Sequence, residues 1–163
     1  MAEIDETVRQ IDREIRSLAF LEFPAELSDR GLISAVQSLC RDFGRRTGIK
    51  VTFKLTGDFR EASEAVSTTV LRVVQEALVN IHRHAHALSA RVAIEKCADR
   101  LQVTVADDGV GMPHTVGDRP RGIGLQGMRR RIEALGGRFQ IRNLKRGTKV
   151  SGSLPLAAGR HHA

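Results

Sequence analysis

The sequence predicts an α/β protein, a two-layer sandwich in which a mixed sheet carries its helices on one face. Three observations predict it. Short alternating runs follow one another mostly as hairpins, helical periodicity marks the segments between the other runs, and 163 residues at 41% hydrophobic content suffice for one core and not for two ordinary domains. A doubly wound parallel sheet would instead need a crossover helix after nearly every strand.

Taken in order, Ile4, Val8, Ile11, Ile15 and Leu18 recur at alternating spacings of four and three with charged residues between them. They predict a helix with a narrow apolar seam. A helix packed on its own domain usually shows a wider stripe, so the seam reads as a stub of coiled coil or bundle helix that pairs with another chain, a weak homodimer contact at most. The stretch from Phe23 to Gly31, with Pro24 and Gly31, breaks the pattern. The expected division is residues 1–23 as the end of a dimerisation or linker helix, 24–156 as the domain, and 157–163 as a tail.

Beyond the break, Leu32, Ala35, Val36, Leu39 and Phe43 predict an amphipathic helix closing near Gly48, and Ile49, Val51, Phe53 and Leu55 alternate as a strand. Residues 67–86 read as a second helix, because Val70, Val73, Val74, Ala77, Leu78 and Ile81 keep helical spacing without Gly or Pro. Strands are expected around Arg91 to Glu95 and Leu101 to Ala106. A glycine-rich stretch, a helix from about Leu125 to Leu135, and strands around Phe139 to Arg142 and Lys149 to Leu154 complete the chain.

The longest apolar stretches fall short of the ~18–20 residues that a bilayer crossing needs, and the acidic start is unlike a signal peptide. A cytoplasmic domain without membrane contact is expected. Cys40 and Cys97 are far apart and belong to no CxxC pair, so free thiols are expected. Lys and Arg number 26 against 19 Asp and Glu, and the resulting +7 points to an anionic partner without naming it. The absence of Trp and Tyr, with six Phe, weighs against a single-strand nucleic-acid binder.

Three segments carry chemistry. On the second helix Glu76, Asn80 and Arg83 stand four and three residues apart, which sets a carboxylate, an amide and a cation on one face; an ordinary solvated face would read the same. The run Val105-Ala106-Asp107-Asp108-Gly109-Val110-Gly111-Met112 ends an apolar strand with a carboxylate and two glycines. Backbone there can approach a flat ring while the carboxylate takes a hydrogen bond from an exocyclic amine, although plain Asp-Gly turns are common. Arg121-Gly122-Ile123-Gly124-Leu125-Gln126-Gly127 runs into a helix, whose free N–H groups make an anion cradle. Its GxGxxG spacing also fits a dinucleotide fingerprint, but loop precedes it where a strand is required, and Arg142 stands where an acidic residue is expected.

In order and spacing these segments resemble the N, G1 and G2 boxes of the GHKL ATPases: Gln75 to Ala85, Asp107 to Gly111, and Gly122 to Met128. Together with Met128-Arg129-Arg130-Arg131-Ile132-Glu133-Ala134-Leu135-Gly136-Gly137, the wording is most similar to sensor histidine kinases that partner LuxR-type response regulators. The resemblance covers roughly residues 24–156 and implies the Bergerat (GHKL) fold with ATP and Mg²⁺ as cofactors. It implies that Asp107 accepts from the adenine amino group, that Gly109 and Gly111 shape the adenine wall with help from Thr148, and that Asn80 ligates Mg²⁺. Glu76 is implied as the base or orienting group, Arg83 as a cation near the phosphates, and Gly122, Gly124 and Gly127 as the flexible points of the lid. His84, Met112, Ile123 and Leu125 join the implied ATP-binding set. The implied partners are ATP or ADP, the dimerisation domain that carries the phosphoacceptor histidine, and a response regulator.

A complete kinase of this kind has that histidine on a bundle helix, and none of the six here (His82, His84, His86, His114, His161, His162) falls on the N-terminal seam. The expectation is a fragment that binds ATP but does not form phosphohistidine alone. Two rival readings stand beside it. One is a stand-alone serine kinase of the anti-sigma-factor type, against which the N-terminal seam argues. The other is a basic nucleic-acid binder, supported by Arg129-Arg130-Arg131, a run that reads first as a solvated face or protein-docking patch. A metal site at His82, His84 and His86 lacks the HExxH context and an evident further ligand. Which of His114, Arg119 and Arg121 meets phosphate stays open.

Overall fold

The computed structural model of the chain describes residues 27–112 and 122–157. Helix α1 (Leu27–Thr47) opens it, followed by strand β1 (Lys50–Thr56), helix α2 (Glu64–Asn80) with a π-helical turn at Ile81–Ala85, strands β2 (Ser89–Cys97) and β3 (Arg100–Asp107), helix α3 (Ile123–Ala134), and strands β4 (Arg138–Asn143) and β5 (Thr148–Pro155). The five strands form one sheet in the order β1-β2-β3-β5-β4. β1 and β2 run parallel, with α2 as the crossover between them, and every other pairing is antiparallel. The mixed sheet with helices on one face is therefore as expected.

Alternation along the strands explains the two layers. Val92 and Ile94 of β2, Leu101, Val103 and Val105 of β3, and Val150 and Leu154 of β5 are buried, while the residues between them are mostly polar. Against them pack Val66, Val70, Val73, Val74 and Leu78 of α2, Val36 and Phe43 of α1, and Met128 and Ile132 of α3, in one continuous core. Spacing of three and four keeps each helix's apolar set on one side, so burial rather than helix propensity holds the helices in place. Ser63 caps α2, its Oγ accepting from the N–H of Val66 at 3.2 Å; such a cap contributes about 1 kcal/mol.

Three boundaries differ from expectation. α1 takes in four residues from Leu27, inside the predicted break, and Gly31, non-helical at φ 74° and ψ 168°, parts them from the rest of the helix. α2 does not continue as α-helix to residue 86; it widens into the π-helical turn and leaves through His86 at φ 49°. α3 begins two residues early, at Ile123. The seam from Ile4 to Leu18, the boundary at Phe23-Pro24, the candidates His114, Arg119 and Arg121, and all but the first residue of the tail lie outside the described residues.

Candidate nucleotide-binding site

The inward parity of β3 runs through Leu101, Val103 and Val105 and reaches its end at Asp107, which is 7% exposed. A carboxylate there faces the helix layer instead of solvent. Its Oδ1 accepts from the N–H of Gly109 at 2.8 Å and its Oδ2 from the N–H of Thr148 at 3.3 Å. Burial pushes the Asp107 carboxyl above the usual carboxylate range, against the lowering effect of those two bonds. Each oxygen has accepted once and keeps a lone pair, so the group can still take a hydrogen bond from an amine. That acceptor, buried and oriented, fits the amino group of an adenine ring.

Asp108 does a different job. Its Oδ1 accepts from the N–H groups of Leu88 and Ser89, both at 2.9 Å, and its Oδ2 from the Ser89 hydroxyl at 2.8 Å. These bonds, the Ser89 backbone N–H first, hold its carboxyl below the usual range. It fastens the start of β2 to the end of β3. The following loop is tied to α2: the N–H of Val110 donates to the carbonyl of Ala85 at 2.8 Å, and a Cβ on Gly109 would overlap that carbonyl. The glycine therefore admits the protein's own backbone.

At the other end of the site, Glu76 of α2 meets the start of α3. A Cβ on Gly124 would overlap the Glu76 carboxylate, so the bare helix turn at Gly124 lies directly against it. Glu76 and Asn80 are half-buried, whereas Arg83 and His84 are exposed on the π-helical turn. That turn changes the angle between residues 80 and 83, because fewer degrees separate successive residues in a π turn than in an α-helix. Gly122 stands before α3 at φ 118° with no side chain to cap it, leaving the first N–H groups of α3 open to an anion.

Gly109, Gly111 and Met112 line the loop after β3, and Gly122, Ile123, Gly124, Leu125 and Gly127 lie at or within the first turns of α3. Ile123 is 94% exposed, while Met128 and Ile132, four and eight residues beyond Gly124, carry the same face of α3 into the core. Two contributors were missed. Gly147 packs so closely on Asp107 that a Cβ there would overlap the Asp107 backbone carbonyl. Asn143 binds the Met112 peptide, accepting from its N–H at 3.0 Å and donating to its carbonyl at 2.9 Å. The Gly147-Thr148 pair beside a known acceptor was a usable signal for the first; Asn143 had none. Cys40 is buried, which pushes its thiol up to about 12, and Cys97 is exposed and free.

Residues 65–158 match the family described as histidine kinase-, DNA gyrase B- and HSP90-like ATPases. Among similar proteins, the signal transduction histidine-protein kinase/phosphatase UhpB of Salmonella typhimurium strain LT2 is 38% identical over 133 residues, covering 81% of this chain and 26% of that protein. The sensor histidine kinase MctS of Rhizobium johnstonii is 32% identical over 150 residues, covering 91% and 32%. The oxygen sensor histidine kinase NreB of Staphylococcus carnosus is 33% identical over 151 residues, covering 91% and 43%. The chain thus spans between about a quarter and two-fifths of the length of these relatives. Among solved structures, the histidine kinase domain of the Erythrobacter litoralis EL346 blue-light activated kinase superposes with TM-score 0.62 at 21% identity, over 89% of this chain and 74% of that one. The catalytic domain of histidine kinase ThkA also gives 0.62, at 20% identity over 78% and 93%.

Proposed function

The chain belongs to the histidine kinase-, DNA gyrase B- and HSP90-like ATPases, and from that membership we propose that it is the ATP-binding catalytic domain of a sensor histidine kinase. In this reading it transfers the γ-phosphoryl group of ATP to a histidine on a dimerisation domain, for relay to a response-regulator aspartate. The observation that carries it is Asp107, a buried carboxylate held by the N–H groups of Gly109 and Thr148. It stands at one end of a site whose other end sets Glu76 against the glycine turn of α3.

Each residue then has a task. Asp107 accepts from the adenine amine, and the Gly109 to Met112 loop and Thr148 wall the ring. The free N–H groups at Ile123, Gly124 and Leu125 and the exposed Arg83 and His84 serve the phosphates, with Gly127 in the next turn and Gly122 as the pivot. Mg²⁺ neutralises phosphate charge when bound, and Asn80 offers it an amide oxygen. Glu76 orients or deprotonates the attacking imidazole, whose nitrogen bonds to phosphorus as the bond to ADP breaks. Positioning and charge neutralisation make up most of the catalysis in such a transfer, and this inventory supplies both.

The reading takes 24–156 as the ATP-binding unit and makes the domain cytoplasmic; no helix among the described residues is long and apolar enough to cross a membrane. The partner regulator would carry a LuxR-type DNA-binding domain, as the motif wording suggests. Supplying a dimerisation bundle with its histidine in trans, with labelled ATP, tests the function. The reading requires acid-labile phosphohistidine on the bundle, and acid-stable phosphoserine would replace it with the serine-kinase reading.

A further inference from the structure

Asn143 closes β4 and stands opposite Thr148 of β5. The backbone N–H of Thr148 donates to Asp107, at the start of the glycine loop, while the Asn143 side chain makes its two bonds to the Met112 peptide at the loop's end. One cross-strand pair therefore grips both ends of the run from Asp107 to Met112. The Asn143 amide imitates a rung of sheet, offering an acceptor to an N–H and a donor to a carbonyl. Between the two grips Gly111 adopts φ 77°, with Asn143 Oδ1 at 3.5 Å from where a Cβ would stand. The loop is bonded at its exit as well as at its entry.

From this geometry we infer that Asn143 is a positioning residue for the nucleotide: it touches no ligand itself but holds the glycine loop in the shape that receives adenine. The inference rests on the ATP-binding reading above. Its physical basis is preorganisation, since a loop held in its binding shape before the ligand arrives loses less entropy when the ligand binds. The side chain is exposed and outside the apolar core, and both of its bonds go to the Met112 peptide.

Two substitutions separate the bonds. Asn143→Ala removes both. Asn143→Asp keeps the shape and the acceptor for the Met112 N–H but sets a lone pair against the Met112 carbonyl. Calorimetric titration with Mg·ADP, at a temperature where all three proteins are fully folded, should find wild type binding and Asn143→Ala weaker by roughly tenfold, the scale of one or two net hydrogen bonds. The isosteric Asn143→Asp should be weakened as well, and amide exchange at Met112 should quicken in Asn143→Ala. A role for the bulk of the side chain alone, without its bonds, would leave Asn143→Asp at wild-type affinity, and a role in fold alone would lower the melting temperature of Asn143→Ala while its affinity held. Either result overturns the inference. Failure of wild type to bind Mg·ADP would instead overturn the nucleotide reading on which it rests.

Discussion

The two ends of the site are built differently. At the Asp107 end that carboxylate is buried and bonded to two backbone N–H groups, Asp108 ties three donors of Leu88 and Ser89, and Asn143 and Ala85 fasten the glycine loop from two sides. At the Glu76 end the side chains of Arg83 and His84 are exposed, Gly122 provides no cap, and Ile123 is 94% exposed at the first turn of α3. The first end is made before a ligand comes; the second consists of donors that a charged ligand can organise. A base is flat and uniform, so a fixed slot selects it, whereas a triphosphate with its ion and an incoming imidazole needs groups that can move into place.

The contrast can be broken in several ways. Glu76→Gln removes the charge that orients or takes the proton of the nucleophile, so phosphotransfer to a bundle in trans should fall roughly a hundredfold or more while Mg·ADP affinity changes little, read by labelled ATP and calorimetry side by side. Gly109→Ala tests the fastened end: its Cβ meets the Ala85 backbone, which cannot swing aside as a side chain can. Stability should drop by about 2 kcal/mol in a denaturant melt, with loss of nucleotide affinity. Gly124→Ala makes the opposite test, because its Cβ meets the movable carboxylate of Glu76. The melt should hardly change while phosphotransfer slows by roughly tenfold, the consequence of a displaced catalytic group. If Gly124→Ala unfolds the chain and Gly109→Ala does not, the assignment of firm and adjustable ends is reversed.

Acidity sharpens the comparison by a smaller amount. The folded-state pKa of Asp107 is raised, chiefly by burial. The carboxylate that the nucleotide needs is lost as pH falls through that raised value, so Mg·ADP affinity should begin to weaken at a pH above the ordinary aspartate range. Its effect on stability has the opposite sign, being most favourable below the unfolded pKa and lost as pH rises through the folded one. Asp108, lowered first by the Ser89 backbone bond, contributes stability above its unfolded pKa and loses it only as pH falls below the usual range. A titration of affinity that shows no acid limb above the ordinary aspartate range would contradict the raised pKa of Asp107.

What the sequence made legible was local. Alternation in β3 and β5 and the three-and-four spacing of α2 are properties of neighbours, and those elements lie within a few residues of expectation. Asp107, Glu76 and Gly124 were legible because their boxes are short and ordered. The π-helical turn was not, since Ile81 to Ala85 contains no Gly or Pro; what accompanies it is the Ala85 carbonyl accepting from Val110, twenty-five residues on. Asn143 and Gly147 act on residues more than thirty positions away, and Asp108 holds a strand start twenty positions behind it. Partners at such separation become visible only when the strand order is known.

The central claim is that Asp107 receives adenine, and calorimetric titration with Mg·ADP and with NAD, on wild type and on Asp107→Asn, tests it most directly. Substituting an amide sets an N–H₂ group against one of the N–H donors now bonded to the carboxylate and removes the negative acceptor for the ring. The account predicts that wild type binds Mg·ADP and not NAD, and that Asp107→Asn, still folded, loses the nucleotide. Binding of NAD, or unchanged ADP affinity in Asp107→Asn, would contradict it.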